Sequence, residues 1–428
     1  MDLLNKCLNI LMENGADKAE VSIAHQFKDE MNVNTGEISL LRSREEYNLN
    51  LTAIINNKKD FIQINKIDDK SIEAAALEVI NNAKNSQPDE AHDISDILIE
   101  KEFKEDMVNL DLDLMHKRLK KFILKINDDY PELVISESIL EYIDTHHYYA
   151  NSKGVKLSSN SDKYTFALMF FSKKGMKTSS FNHTSLSTKD LEKELYELGS
   201  LPYLLKESIE HLDAQAIENK KFTGDIIVTP DCMNSVLDFL LSHISNYFLI
   251  AGISNFSDKL NEKVLDEKFT LRTEPLSKKL ASKKYYGSDG ILNKNDYIFE
   301  NGVLKNYILD LYGSNKTGYD RGPSHGGNIV IEKGDKSLDE MIKSIDQGII
   351  LSRFSGGQPA PNGDFSGVAK NSFYIENGEI KYPIKETMIT GNIFDMFTDI
   401  NAISEERINN GSSLLPFIHF KDINISSK

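Results

Sequence analysis

Hydrophobic positions in the N-terminal half of the chain recur with two different spacings. Leu4, Leu8 and Leu11 repeat at helical intervals, which predicts an opening helix. Every second residue from Tyr47 to Ala53 is apolar, a pattern typical of a strand with one buried face. Helical spacing returns between Leu112 and Ile126. Helices interspersed with antiparallel hairpins indicate an α+β fold for this half.

Further segments define the expected organisation of the chain. Residues Asp190 to Glu210 are predicted to form a helix. Residues Leu212 to Lys221 are polar and lack a core pattern, so we place a domain boundary there, between domains of residues 1–211 and 222–428. The apolar stretch from Val236 to Ile253 contains several polar residues, which predicts a buried or amphipathic helix rather than a membrane span.

Strands and glycine turns dominate the pattern beyond Arg272. The pairs Asn301-Gly302 and Asn377-Gly378 each lie between apolar segments. Asn-Gly favours a type I′ hairpin because both central residues of that turn need a positive φ. We interpret the two segments as independent hairpins that share turn chemistry, and the C-terminal domain as rich in β-structure.

Composition and charge narrow the classes of function. The 428 residues include 50 Lys and Arg but 66 Asp and Glu, which gives a net charge of −16. An acidic surface repels phosphates, so we expect no nucleic-acid partner, and we interpret Lys278-Lys279 and Lys283-Lys284 as solvated loop. Cys7 and Cys232 are too few for a disulfide framework, and the N-terminus has no apolar leader. We therefore expect a cytoplasmic protein with no membrane partner.

A succession of short motifs occupies the C-terminal third. Asn362 to Gly367 reads NGDFSG, Tyr374 to Ile380 reads YIENGEI, Met388 to Asn392 reads MITGN, and Gly411 to Pro416 closes the series. Near the N-terminus, Gly15 to Val21 reads GADKAEV. These motifs resemble those of the TldD/PmbA family, and the resemblance covers nearly the whole chain. It implies an α+β fold, with an N-terminal helix-and-antiparallel-hairpin domain followed by a larger β-rich C-terminal domain.

The resemblance also implies a zinc peptidase of two similar chains, in which a TldD-type chain supplies an HExxxH helix and a cysteine. This sequence contains no HExxxH. Counted without gaps, Asp238 replaces the first histidine, Phe239 the glutamate that acts as general base, and His243 the second histidine. The cysteine position reads Asn409 to Gly411. We expect no catalytic residue and no cofactor in this chain, with zinc in the partner chain; Asp238 and His243 are divergent candidates for metal ligands.

Several residues of the C-terminal motifs are candidates for the wall of a substrate cavity. They are Gly363, Asp364, Phe365, Ser366, Gly391 and Asn392. Glycine and Asx residues in turns most often serve backbone geometry, so a structural role is the simpler interpretation.

Three hypotheses for the function follow. The resemblance implies a PmbA/TldE-like subunit that binds a TldD-like, HExxxH-bearing subunit and acts on unfolded peptides. A metal-free peptide-binding or scaffolding homodimer is an alternative from a different class. The third is a self-sufficient hydrolase with a divergent site at Asp238 and His243. Metal analysis separates the third hypothesis from the others, and a genomic neighbour with HExxxH in the same fold favours the first over the second.

Overall fold

The N-terminal half is built around one largely antiparallel sheet. A computed structural model describes residues 1–324 and 327–427 of the chain. The strands of this half are β1 (Lys18–Asn34), β2 (Glu37–Ile55), β3 (Lys58–Ile64), β4 (Glu100–Phe103), β5 (Leu133–Asn151), β6 (Lys156–Lys174), β7 (Lys177–Thr178) and β8 (Asn182–Thr188). Two long hairpins give the order β3-β2-β1-β5-β6. Strands β7 and β8 also pair with β6, and β4 joins β6 in parallel.

Amphipathic helices pack against this sheet. They are α1 (Asp2–Glu13), α2 (Asp69–Asn85), α3 (Leu112–Asp129) and α4 (Leu201–Glu210). Leu4, Leu8 and Leu11 of α1 are buried in one core cluster with residues of β1 and β2, which confirms the predicted opening helix. The apolar face of α3 includes Phe122 and Ile126, both fully buried. Because each such side chain contributes about 1.5–3 kcal/mol on burial, packing rather than helix propensity stabilises α3.

The C-terminal half contains a larger mixed sheet. Its strands are β9 (Lys221–Val228), β10 (Leu271–Thr273), β11 (Asp296–Glu300), β12 (Val303–Leu304), β13 (Ile329–Ile331), β14 (Gln347–Leu351), β15 (Arg353–Gly356), β16 (Asp364–Lys370), β17 (Ser372–Glu376), β18 (Glu379–Ile384), β19 (Thr387–Asn392), β20 (Ile400–Asn409) and β21 (Ser413–Ser427). The helices are α5 (Pro230–Ser242), α6 (Asn246–Ile250), α7 (Leu311–Thr317), α8 (Leu338–Lys343) and α9 (Ile393–Thr398).

The long final strand organises this sheet. The main path runs β12-β11-β10-β13-β21-β9-β14-β17-β18, and β21 also pairs with β19 and β20. Pairing is parallel between β9 and β14 and between β13 and β21. Strand β9 lies at the centre of the core, with Ile226, Ile227 and Val228 all at 0% exposure. The α+β prediction, with an N-terminal antiparallel sheet and a larger C-terminal β-rich part, is confirmed.

The two predicted Asn-Gly hairpins are confirmed. Asn301 and Gly302 have φ values of 49° and 76° and join β11 to β12. Asn377 and Gly378 have φ values of 51° and 75° and join β17 to β18. Both central residues of each turn therefore have the positive φ that a type I′ turn requires.

Two helix predictions were too long. Within Asp190–Glu210 the helix begins only at Leu201, after a short 3₁₀ turn, because Gly199 has a φ of 54° and Pro202 favours a new first turn. The apolar stretch from Val236 to Ile253 is divided between α5 and α6. Serine hydroxyls at the break donate to nearby backbone carbonyls, which competes with helical hydrogen bonding.

The polar segment Leu212 to Lys221 runs along the C-terminal sheet. The amide of Gln215 donates to the carbonyl of Pro383 at 3.0 Å, and Ile217 is buried. The division of the chain into domains at this segment stays a prediction. No helix within the described residues is long and apolar enough to cross a membrane.

Candidate functional site

Helix α5 occupies the place that the family resemblance gives to the zinc-binding helix. It follows β9 directly, with Thr229 at the N-cap and Pro230 in the first turn, where a missing N–H costs little. Met233 and Leu237 face the core. Because an α-helix has 3.6 residues per turn, this orientation leaves Asp238 exposed.

Asp238 lies at a cleft of about 220 Å³ between α5, α9 and the strands β15 and β16. The walls are mainly apolar and include Val228, Leu351, Phe354, Phe365, Ile389, Ile393 and Met396. Among the described residues that line the cleft, Asp238 is the one with a charged side chain. Partial burial raises the pKa of its carboxyl above the ordinary value. The cleft can therefore accept apolar side chains together with one cationic group.

Strand β15 borders this cleft and has a free edge. Among the strands in the described part of the chain, β15 pairs with β16 alone. Phe354 and Gly356 of β15 both line the cleft. An extended peptide can pair with such an edge through its backbone, while pockets beside the edge accept alternate side chains.

His243 lies in an aromatic cage, away from solvent. Its ring has 0% exposure and packs against Phe239, Phe248 and Phe394, with centroid distances of 4.9, 4.2 and 4.9 Å. The backbone N–H of Asn255 donates to Nδ1 at 3.3 Å, and Nε2 has no hydrogen-bond partner in the described part of the chain. A neutral ring that accepts at Nδ1 carries its proton on Nε2, so neither nitrogen offers a free lone pair to a metal.

The described residues do not fit a zinc site in this chain. Among them, no three His, Cys, Asp or Glu side chains come together as a metal-binding group. His243 is enclosed by aromatic rings, whereas Asp238 faces the cleft, and the cleft lining does not include His243. Asn409 to Gly411, at the cysteine position, lie beside β8 of the N-terminal sheet, where the Ser187 amide donates to the Asn410 carbonyl at 2.9 Å.

Burial of the His243 ring should make the folded protein less stable at acidic pH. Its surroundings lower the pKa from 6.5 to about 4, so the unfolded chain binds the proton more readily than the folded chain. The stability present above pH 6.5 is therefore lost as the pH falls towards 4, by about 3 kcal/mol in total. In His243→Leu this component of the acid loss should disappear, as measured by urea unfolding at about pH 7 and about pH 4.5.

Exposed His116 on α3 supplies the matched control for this measurement. His116→Leu should keep the acid loss of the parent chain. If His243→Leu lost as much stability on acidification as the parent chain, the conclusion that His243 is a buried and neutral ring would be wrong.

The candidate residues of the cavity wall come together as neighbours on two paired strands. Asp364 lies opposite Asn392, and Phe365 lies opposite Gly391, in the register of β16 and β19. The Asn392 amide donates to the Asp364 carboxylate at 2.9 Å, and the Asn362 amide donates to it at 2.7 Å. Hydrogen bonds from Asn392 and Asn362 lower the pKa of Asp364. Asp364 is therefore engaged in holding the turn in place.

Asn392 also connects this turn to α9. Its side-chain oxygen accepts the N–H groups of Phe394 and Asp395 and so caps the helix. A Cβ added to Gly363 would lie 2.6 Å from the Phe394 ring and 2.8 Å from Oδ1 of Asn392. Gly363 thus allows the turn to approach the helix start closely.

Phe365 is the member of this group that reaches the cleft. A Cβ added to Gly391 would lie 3.0 Å from the Phe365 ring, so the absence of a side chain at Gly391 leaves room for that ring. Ser366 is exposed, and strand alternation turns it to the opposite face from Phe365. The group therefore shapes the cleft, and Phe365 alone among its side chains forms part of the lining.

Sequence reasoning missed most of the cleft lining. Phe354, Ile393 and Met396 are apolar residues on regular elements, and in the sequence they are indistinguishable from core positions. The loop residues Gly357 and Pro359 could have been identified from the sequence, because Gly and Pro mark turns and loops, and loops often border functional sites.

Sequence comparison relates the chain to known metallopeptidases. Residues 221–427, just under half of the chain, match the family model described as PmbA/TldA metallopeptidase C-terminal domain. The chain is 28% identical over 218 residues to the metalloprotease PmbA homolog of Buchnera aphidicola subsp. Acyrthosiphon pisum, which covers 49% of this chain and 48% of that protein. It is 23% identical over 304 residues to the zinc metalloprotease TldD homolog of Saccharolobus solfataricus, which covers 67% and 68%.

The fold has a close counterpart among solved structures. The structure of TldE from Thermococcus kodakarensis matches with a TM-score of 0.86 and 18% sequence identity, covering 99% of this chain and 100% of that one. At this identity the likeness concerns the fold alone.

Over residues 221–427 the chain is similar to the PmbA/TldD family of metallopeptidases. Its sequence is similar to that of PmbA proteins, and its fold to that of TldE. The match spans about half the length of the Buchnera relative. Activity, substrate and partners are therefore proposals for this chain.

Proposed function

We propose that this chain is the PmbA/TldE-like subunit of a two-chain zinc metallopeptidase that acts on unfolded peptides. The observation that carries the proposal is the composition of α5: Asp238 faces an open cleft and His243 is enclosed by aromatic rings, at the positions of the HExxxH histidines. The zinc-bearing partner would supply the chemistry, and this chain would help to bind the substrate.

The roles proposed for the two chains follow from the requirements of zinc-dependent peptide hydrolysis. A catalytic zinc site takes three protein ligands, keeps an open position for water, and uses a carboxylate to accept the water's proton. Phe239 stands at the base position, and its ring cannot accept a proton. Neither the ligands nor the base are therefore expected from α5.

The cleft suggests how this chain would bind an extended peptide. The peptide backbone would pair with the free edge of β15, and its apolar side chains would lie against Phe354 and Phe365. Asp238 would attract a peptide amino terminus or a basic side chain. A folded domain is far too large for a cleft of about 220 Å³, which supports unfolded segments as substrates.

A metal-free peptide-binding or scaffolding homodimer remains the second candidate, because the same cleft would serve either role. We also propose a cytoplasmic location, which agrees with the unpaired Cys7 and Cys232.

Assembly with a zinc-bearing chain is the property that separates the two candidates. The chain should be mixed in equal amounts with the HExxxH-bearing family member from the same cell, and the mixture analysed by size-exclusion chromatography with light scattering. We expect one new species that contains both chains and a mass equal to their sum or a multiple of it. A zinc peptidase of another family is the control and should elute separately. An unchanged homodimer of this chain in the presence of the family member would favour the scaffold.

A further inference from the structure

A second cavity, away from α5, lies between the two halves of the molecule. It has a volume of about 520 Å³. One wall is the face of the N-terminal sheet opposite the helical core, to which the even-numbered residues Ser22, Ala24, Gln26 and Lys28 of β1 point. The other wall is the loop of residues 282–288 from the C-terminal half. A cavity of this size is typical of sites for small molecules.

The lining of this cavity is cationic in an otherwise acidic protein. Lys28, Lys163, Lys283 and Lys284 line it together with His147, and none of its described lining residues is an Asp or Glu. The chain as a whole has a net charge of −16. The amino-acid sequence does not predict this arrangement, because the Lys283-Lys284 pair has the pattern of a solvated loop and Lys163 lies 120 residues before Lys283 along the chain.

Two of these lysines have no counter-ion among the residues that the structure describes. Lys28 pairs with Glu46 at 2.8 Å, and the ammonium group of Lys283 lies 6.0 Å from the centre of its neighbouring tyrosine ring. Lys163 and Lys284 form no ion pair with any residue in the described part of the chain. Burial and the charge of Lys284 lower the pKa of Lys163, although Glu141 partly opposes this. The positive charges of Lys163 and Lys284 are thus held close together without an ion-pair partner among the described residues.

His147 on β5 lies in the positive potential of Lys284, and its pKa is lowered. Burial, then the charges of Lys284 and of His146, lower it below the ordinary value. Side chains that donate neutral hydrogen bonds complete the wall, including the hydroxyl groups of Ser159 and Ser161 on β6. Ammonium and hydroxyl donors that converge on one space form the donor set that phosphate and carboxylate groups require.

We propose that this cavity binds a small anion with two or more negative charges, a phosphate ester or a polycarboxylate. The anion would neutralise Lys163 and Lys284 and connect β6 of the N-terminal sheet to the 282–288 loop of the C-terminal half. This site is separate from the α5 cleft, and the proposal does not depend on the peptidase assignment.

Calorimetric titration of the purified chain tests the proposal. Pyrophosphate and citrate serve as probes for phosphate and carboxylate chemistry. We expect saturable binding of at least one probe to the parent chain, and about tenfold or greater weakening in Lys163→Gln/Lys284→Gln. The charge-retaining variant Lys163→Arg/Lys284→Arg should keep binding within a few-fold of the parent.

A control with the same change of charge excludes a general surface effect. Lys117 and Lys120 of α3 are exposed and have no ion-pair partner among the described residues. Lys117→Gln/Lys120→Gln should bind the probes as tightly as the parent chain. Tighter binding of pyrophosphate than citrate would assign phosphate chemistry to the site, and the reverse would assign carboxylate chemistry. Equal weakening in both Gln double variants, or no binding of either probe up to about 10 mM, would overturn the proposal.

Discussion

Gly411→Ala is expected to lower the free energy of unfolding by about 3 kcal/mol or more. Gly411 has a φ of 82°, and a Cβ at this position would lie 1.9 Å from the carbonyl oxygen of Ser187 in β8. That atom belongs to the backbone of a paired strand and cannot rotate away. The amide of Ser187 donates to the carbonyl of Asn410, and the Gly411 carbonyl accepts the amide of Ala281. The turn between β20 and β21 therefore has to shift as a unit.

Gly318 supplies a control that separates backbone strain from collision. It has a φ of 79°, and a Cβ there would meet nothing within 4 Å. Gly318→Ala should cost only about 1–2 kcal/mol, the usual penalty for a left-handed conformation. Urea unfolding of the parent and both variants measures the difference. Equal losses in the two variants would contradict the close packing of this turn against the N-terminal sheet.

The contact at Gly411 illustrates what the sequence could not predict. Local signals placed the opening helix, the long helix that begins at Leu112 and the Asn-Gly hairpins, because each depends on residues close together in the chain. The contact between Gly411 and Ser187 joins segments more than 200 residues apart, and nothing in either segment identifies the other. The same limit applies to the anion cavity, whose lysines come from separate strands and a loop.

The candidate site was predictable in part. The family resemblance located α5 and the turn at Gly363, and strand pairing places the turn beside Gly391 and Asn392. The enclosure of His243 was not predictable, because Phe248 and Phe394 come from different elements and nothing in their sequence spacing relates them to α5. The helix break before α6 also depends on local serine hydrogen bonds that compete with helical ones.

Peptide cleavage in the reconstituted pair is the second large effect that we expect. Each chain would be purified alone, and the cleavage of an unstructured peptide would be followed for each chain and for their mixture, with zinc measured on both. The mixture should cleave about a hundredfold faster than either chain alone, since neither chain would contain a complete site. Replacing the glutamate of the partner's HExxxH by glutamine should abolish cleavage by the mixture. Asp238→Asn in this chain should leave the zinc content unchanged and weaken substrate binding by about tenfold.

Zinc content and cleavage, measured together on the two chains, test the central claim most directly. We predict zinc in the partner chain alone and cleavage only when both chains are present. Zinc bound to this chain together with cleavage by this chain alone would contradict the account and would point to a divergent metal site at Asp238 and His243.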